Sequence, residues 1–237
     1  MYPFYLGIDL HLKRTYMVLM DAKGEVIEKG RISNQEITKY LQEKVPQETY
    51  AVLEATRNWP FMYDLLNEHV QKVDLVHSKG VRAIATAAVK TDQIDASTLA
   101  HLARMNYIPK AYAASKEMRD LRQLLRHREW MVNQRTKAKN RINAALASYN
   151  LVSPVTDLFG VAGRAYLAEV MEKELHPATR QVVADHLALL DHLGERIHSL
   201  EKSISLNEKQ NHIVDILRSL PGVGRLIAYC LSQRKIT

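Results

Sequence analysis

Short apolar runs, separated by turn-forming residues, limit the folds that the first third of the chain can adopt. The runs FYLGIDLH (residues 4–11), TYAVLEA (49–55) and QKVDLVHS (71–78) are apolar and short. They are typical of strands that are buried on both faces of a sheet. Residues 15–33 hold two further β-rich runs around Asp21-Ala22-Lys23-Gly24, and this arrangement predicts a hairpin.

Helix signals alternate with these strands. Asn34 is an N-cap residue, and it predicts a helix that ends before Pro46. Pro60 suits the first turn of a second helix, which runs to about His69. Three adjacent strands, a helix and then a strand–helix alternation predict an α/β fold of the ribonuclease-H or RuvC-like class, with a mixed sheet and helices.

The character of the sequence changes from about Ser115, where long helical periodicities begin. Apolar residues recur at helical spacing over residues 115–147, with no Gly or Pro until Pro154. A second long helix is predicted over residues 178–206, where Val, Leu and Ile repeat every seven residues. This a/d seam needs a partner helix. The partner is either the 115–147 helix of the same chain or a helix of a second copy, and the sequence leaves both open.

The net positive charge of the chain is concentrated in the first of these helices. Residues 110–141 hold ten basic and three acidic side chains, which accounts for the whole net charge of +7. A basic surplus in one segment is typical of a protein that binds a polyanion, although a solvated helix face shows the same pattern. The nucleic-acid-binding residues that we predict on this helix are Lys116, Arg119, Arg122, Arg126, Lys137, Lys139 and Arg141.

Four acidic residues stand where the predicted fold brings them together. Asp9 lies in the first strand, Glu54 ends a later central strand, and Asp92 and Asp95 share one face of a following helix. Carboxylates that converge repel one another unless cations neutralise them, and Mg²⁺ prefers such oxygen ligands. We therefore predict that Asp9, Glu54, Asp92 and Asp95 form a catalytic metal site for Mg²⁺, or for Mn²⁺ in its place, that polarises a phosphodiester. A D-x-x-D pair alone is a weak signal, because many solvated helices carry one.

Composition excludes several other classes. With 46% hydrophobic and 25% charged residues, the chain can bury a core. No uncharged apolar run approaches the roughly 18 residues of a membrane span, so no membrane partner is expected. The single cysteine, Cys230, excludes an internal disulfide and a cysteine-based zinc cluster. These features predict a cytoplasmic, nucleoid-associated protein.

At the residues of the predicted metal site the chain resembles the IS110 family of insertion-sequence transposases, which are DEDD recombinases. The resemblance rests on GIDLH, LEAT, KTDQIDA, KAKNRINAAL and LPGVG, which occur in the family's order and approximate spacing over nearly the whole chain. It implies a metal-binding RuvC-like domain, a coiled-coil-like helical region and a second transposase domain. It also implies DNA as substrate, a structured guide RNA that pairs with donor and target DNA, and a homo-oligomer (dimer or tetramer) joined through the helical region.

The chain departs from the family pattern in two places. After LEAT the family usually has Gly, whereas this chain has Arg57-Asn58-Trp59, so the turn beside Glu54 is expected to differ. The family's serine nucleophile lies beyond LPGVG, and no serine here occupies its position, so we expect a C-terminally truncated form whose last residues, SQRKIT, are out of frame. The predicted domains are residues 1–112 (RuvC-like), 113–206 (long basic and heptad helices) and 207–237 (incomplete start of the second transposase domain).

Four functions are compatible with the sequence. The first is a transposase and DNA recombinase of an insertion sequence, which acts through the metal site together with a serine nucleophile. The second is a free-standing Mg²⁺-dependent nuclease, and the third is a truncated, non-catalytic form that binds nucleic acid or dimerises. An actin-like phosphotransferase is the fourth, but the second glycine-rich phosphate loop of that fold is missing.

Overall fold

The structure is a computed structural model that describes residues 1–84, 91–206 and 212–232. The chain separates into two compact units, residues 1–113 and 114–237. Lys90 of the KTDQIDA motif and residues 233–237, which hold most of SQRKIT, lie outside the described residues. The three-domain organisation inferred from the sequence stays a prediction.

A mixed sheet forms the centre of the first unit. Within the described residues its strands are β1 (Phe4–Leu10), β2 (Arg14–Asp21), β3 (Val26–Ser33), β4 (Thr49–Glu54), β5 (Lys72–Val76) and β6 (Lys110–Ala111). Their order in the sheet is β3-β2-β1-β4-β5-β6. The pairs β1–β2, β2–β3 and β5–β6 are antiparallel, whereas β1–β4 and β4–β5 are parallel. This is the mixed arrangement of a ribonuclease-H-like fold, so the predicted fold class is confirmed.

Helices cover the two faces of this sheet. They are α1 (Ile37–Lys44), α2 (Trp59–His69), α3 (Ser78–Ile84) and α4 (Asp92–Arg104). On one face, Leu6, Ile8 and Leu10 of β1 are buried in a core that also contains Leu41 of α1 and Leu66 of α2. On the other face, α4 packs against β1, β2 and β4. A sheet covered on both sides explains why its strands are nearly continuous apolar runs.

The approach of α4 to the sheet is closest at Gly7 of β1. A Cβ atom at Gly7 would lie 1.9 Å from the carbonyl oxygen of Ala96 and 2.6 Å from the amide nitrogen of Ala100, both in the backbone of α4. No side chain fits there, because real Cβ atoms do not come so near to other heavy atoms. The glycine of the GIDLH motif therefore allows the backbone of α4 to rest on the centre of β1.

The first predicted helix begins later than the sequence suggested. The structure starts α1 at Ile37 rather than at Asn34. The Asn34 side chain accepts a hydrogen bond from Thr15 Oγ1 (2.7 Å) and donates to the carbonyl oxygens of His11 (2.8 Å) and Leu12 (3.1 Å). The prediction of Asn34 as a helix cap was wrong because its amide stabilises the turn after β1 instead. The hairpin between β2 and β3 is present as predicted, with Gly24 at a φ of +92°.

Helices make up the second unit. Within the described residues they are α5 (Lys116–Ala147), α6 (Val161–Lys173), α7 (Pro177–Leu206), α8 (His212–Arg218) and α9 (Arg225–Ser232). Ser115 caps α5, since its hydroxyl oxygen accepts a hydrogen bond from the amide of Met118 (3.3 Å). The two long helices thus lie within a residue of the bounds that periodicity predicted.

The heptad seam of α7 packs against α5 of the same chain. Near the end of α7, Ile204 packs with leucines from the start of α5, including Leu121 and Leu125. Near the start of α7, Val183 shares a core with Ile142 and Leu146 from the end of α5. The two helices therefore form an antiparallel pair, which is the first of the two alternatives left open by the sequence.

All the helices in the described part of the chain are too short or too polar to cross a membrane.

Candidate metal centre

The four acidic residues predicted to form a metal site line one open pocket of the first unit. The pocket has a volume of about 530 Å³ and lies where β1 and β4 end and α4 begins. Its acidic lining residues are Asp9, Glu54, Asp92 and Asp95. The fold therefore brings together side chains from three separate elements, although it does not by itself assign them a role.

The two strand residues reach the pocket because of the register between β1 and β4. Gly7 of β1 pairs with Val52 of β4 in parallel register. Asp9 and Glu54 each follow two residues later, and side chains at positions i and i+2 of a strand point to the same face. Both carboxylates therefore lie on the α4 side of the sheet, at its carboxyl edge.

The two helix residues reach the pocket because they occupy the first turn of α4. Thr91 caps this helix, and its hydroxyl oxygen accepts a hydrogen bond from the amide of Ile94 (3.2 Å). Asp92 and Asp95 are three residues apart, so they share a helix face. Negative charges in a first turn interact favourably with the helix dipole, which partly offsets their mutual repulsion.

His11 joins two of these carboxylates, and sequence reasoning did not single it out. Its Nε2 atom lies 3.1 Å from Asp9 Oδ2 and 3.6 Å from Asp92 Oδ1. Ligand atoms of Asp9, His11 and Asp92 all lie within 4.8 Å of one another, a spacing at which they could hold a metal ion. The signal was present in GIDLH, because a histidine two residues after a strand aspartate can return to the same face.

The ionisation of Asp9 is disfavoured in this pocket. Burial raises the pKa of the Asp9 carboxyl above its ordinary value of 3.8, and the charge of His11 and its hydrogen bond lower the pKa by less. The neighbouring Asp92 and Asp95 carboxylates add to the rise. A divalent cation would relieve this repulsion, and the carboxylate oxygens of the pocket suit Mg²⁺ or Mn²⁺. The residues present therefore fit a divalent metal.

Arg31 of β3 also contacts the acidic pocket. Its Nη2 atom lies 2.7 Å from Asp92 Oδ2 in a salt bridge. A smaller basic pocket of about 260 Å³ adjoins it, lined by Asp92 together with His11, Lys13, Arg14 and Arg31. Arg31 could not be found from the sequence, because its position depends on strand register: it pairs with Tyr16, which in turn pairs with Asp9.

The unusual turn after Glu54 holds the loop that carries His11. Asn58 donates a hydrogen bond from Nδ2 to the carbonyl oxygen of His11 (3.0 Å). The same carbonyl accepts a hydrogen bond from Asn34, so the loop is fixed from two sides. The Asn58 amide therefore supports the wall of the pocket on the side of His11.

The predicted nucleic-acid-binding residues of α5 are not equally available. Lys116, Arg126, Lys137 and Arg141 are exposed, whereas Arg119, Arg122 and Lys139 are half-buried. Arg119 donates a hydrogen bond from Nη1 to the carbonyl oxygen of Ala114 (2.8 Å), and the Nζ atom of Lys139 lies 4.7 Å from the ring centre of Phe159. We therefore expect the four exposed cations to be the more accessible to a polyanion.

The comparisons with known proteins found a transposase family and a transposase relative. Residues 6–151 match the DEDD transposase family IS110, which is described as a transposase. The chain is also similar to the transposase for insertion sequence element IS1328 from Yersinia enterocolitica, with 23% identity over 230 residues. That match covers 97% of this chain and 67% of the relative. The matched family region contains all four acids of the pocket.

Proposed function

Because this chain belongs to the IS110 family of transposases, we propose that it acts on DNA phosphodiester bonds through a divalent-metal site formed by Asp9, Glu54, Asp92 and Asp95. The observation that carries the proposal is that these four side chains line one pocket, although they come from two strands and a helix. DNA is the partner that the family implies.

The residues of the pocket have distinct tasks in this proposal. Asp9 and Asp92 offer carboxylate oxygens to the ion, and His11 is placed to add a nitrogen ligand or to orient Asp9. Mg²⁺, or Mn²⁺ in its place, would supply the Lewis acidity that polarises a phosphoryl oxygen. The family resemblance also implies a serine nucleophile, but we do not assign that role to any serine of this chain.

The test of the metal site is a thermal melt with and without the ion. Mg²⁺ or Mn²⁺ should raise the Tm of the wild-type chain, because a ligand that binds only the folded state stabilises it. The Asp9→Asn, Asp92→Asn double variant should lose this rise. Glu43→Gln, which removes an exposed carboxylate from α1 on the other side of the sheet, is the matched control and should keep it.

An equal rise in the double variant and the wild type would contradict the metal site. A cleavage assay on supercoiled plasmid separates the proposal from the nuclease alternative. Metal-dependent nicking by the chain alone, lost in the Asp9→Asn, Asp92→Asn variant, would favour a free-standing nuclease.

We also propose that the exposed cations of α5 bind nucleic-acid backbone, in DNA or in a structured guide RNA. Arg126, Lys137 and Arg141 support this, because all three are exposed on one helix. Binding through such contacts weakens as salt rises, because it releases counterions from the phosphates and this release is less favourable at a higher salt concentration. A homo-oligomer stays a prediction, and it would need a surface other than the heptad seam of α7, which α5 already covers.

A further inference from the structure

Trp130 is exposed in the middle of the basic helix α5. Just over half of its surface (54%) is accessible, and it is one of only two tryptophans in the chain. Tryptophan is highly buried on average, because burial of its large ring removes more apolar surface from water than burial of most other side chains does. An indole left on the surface of a long helix therefore points to a partner that covers it.

A second ring extends the surface of the indole. His127 lies one helical turn before Trp130, and the two ring centres are 5.8 Å apart with an angle of 11° between the planes. His127 is itself exposed. The two nearly parallel rings offer a flat, polarisable surface of the kind that takes another planar ring in stacking contact.

The residues around this ring pair are cationic or polar rather than apolar. Arg126 precedes Trp130 by four residues, and Lys137 and Arg141 follow it by seven and eleven, so all lie on one side of the helix. The neighbours one turn away are Asn133 and Gln134. A hydrophobic protein surface would find only one apolar side chain here, whereas a ligand with both planar rings and negative charge fits the whole face.

Unpaired nucleotides are the chemical class with these two properties. Basic grooves with aromatic side chains bind single strands, because each base exposes a π-face once it leaves a helix. In a duplex the same faces are stacked on neighbouring base pairs. We propose that Trp130, together with His127, is a stacking platform for an unpaired nucleobase, and that Arg126, Lys137 and Arg141 hold the flanking phosphates. This rests on the proposed binding of nucleic acid by α5.

Fluorescence of Trp130 tests the stacking directly. Trp59→Phe makes Trp130 the single tryptophan of the full chain, because the sequence contains only these two. This variant is titrated with an oligouridine, an oligothymidine of equal length and a blunt DNA duplex. Both single strands should quench the emission to saturation, and the duplex should not. Tighter binding of oligouridine would identify RNA as the source of the base, and tighter binding of oligothymidine would identify DNA.

Affinity measurements separate stacking from charge. Trp130→Ala should weaken binding of the single strand about tenfold, because one base–aromatic stack contributes about 1–3 kcal/mol. Trp130→Phe should retain most of the affinity, because it keeps a planar ring. Phe61→Ala, which removes an exposed ring from α2, is the matched control and should have no effect. The salt dependence should be unchanged in Trp130→Ala and weaker in the Arg126→Ala, Lys137→Ala variant.

Each other outcome overturns the proposal in a distinguishable way. Salt-dependent binding without quenching, unaffected by Trp130→Ala, would overturn the stacking platform and leave backbone binding by α5 intact. Equal quenching by the duplex would likewise overturn it. Loss of emission on concentrating the protein alone would identify the face as a contact between copies. No binding of any oligonucleotide would overturn both this inference and the proposed function of the helix.

Discussion

Asp9 is held in an environment that opposes its charge, and this has a consequence for stability. Its folded-state pKa lies above the ordinary 3.8, mainly because of burial. Between those two pKa values the folded state binds more protons than the unfolded state, so the free energy of unfolding falls as pH rises through this window. The metal-free protein therefore carries the full cost of the ionised carboxyl at neutral pH.

Asp9→Asn should accordingly raise the Tm of the metal-free protein at neutral pH by a few degrees, while it weakens the response to metal. The amide oxygen can still accept the hydrogen bond of His11. The gain should shrink as the pH is lowered toward 3.8, where the wild-type carboxyl also becomes protonated. Melts in EDTA across this range measure the effect, and a lower Tm for the variant at neutral pH would contradict it.

The second prediction at the scale of single residues concerns the substitution of Gly7. In Gly7→Ala, the new methyl group would meet the backbone of α4, which cannot move aside as a flexible side chain does. We expect a loss of about 1–3 kcal/mol in the free energy of unfolding, typical of an overpacked core. We also expect a weaker metal-induced rise in Tm, because Asp92 and Asp95 move with the helix.

Gly30→Ala is the matched control, because a Cβ there would meet no atom within 4 Å. Urea denaturation and metal-dependent melts of the two variants should differ clearly. If Gly7→Ala unfolds at the same urea concentration as Gly30→Ala, the close approach of α4 is not what keeps larger residues out of this position.

The acids of the pocket could be predicted from the sequence, but their neighbours could not. Asp9 and Glu54 end apolar runs whose strand character is visible locally, and the spacing of Asp92 and Asp95 indicates a shared helix face. Arg31 reaches Asp92 only through the pairing of β3 with β2 and of β2 with β1. That information lies in strand register, which no local pattern in this sequence specifies.

At the scale of elements, those with local sequence signals were predicted, whereas those that depend on contacts with other elements were not. The bounds of α2, α5 and α7 follow from proline, capping and heptad signals within each segment. The strand β6 has only two residues, and it exists because Lys110 and Ala111 pair with β5. Helix α6 was not predicted from the sequence. Its core is supplied by neighbouring helices, since Leu167 and Val170 are buried beside residues of α5 and α7.

The edge of the sheet formed by β4, β5 and β6 is held by one partly buried network around Asp74. Its Oδ2 atom accepts hydrogen bonds from Tyr50 Oη (2.6 Å) and Lys110 Nζ (2.9 Å), which joins all three strands. Burial raises the pKa of Asp74, but these hydrogen bonds and the charge of Lys110 outweigh it, so the pKa lies below its ordinary 3.8. Asp74 therefore stabilises the fold above that pH and ceases to do so as the pH falls below it.

Asp74→Asn should lower the free energy of unfolding by about 1–2 kcal/mol at neutral pH, because it removes charge-assisted hydrogen bonds. The difference from wild type should shrink when the pH is lowered below 3.8. Urea denaturation at both pH values measures this. Glu68→Gln on α2 provides an exposed comparison that should change stability little, and a constant difference at all pH values would contradict the assignment.

At the scale of the whole molecule, the first unit contains every part of the candidate metal centre. Residues 1–113 include the complete sheet, its two covering layers and the four acids. We expect this fragment to fold alone, to melt cooperatively and to show the same metal-induced rise in Tm as the full chain. The fragment with Asp92→Asn should melt cooperatively without that rise. A broad, non-cooperative melt of the fragment would show that the pocket depends on residues beyond 113.

The antiparallel pairing of α5 with α7 bears on how copies of this chain can meet. Because α5 covers the heptad seam of α7 within each chain, a second copy can bind without the exchange of a helix between subunits. If copies associate, as the family resemblance implies, they would meet through outward surfaces, and each subunit would keep its own fold.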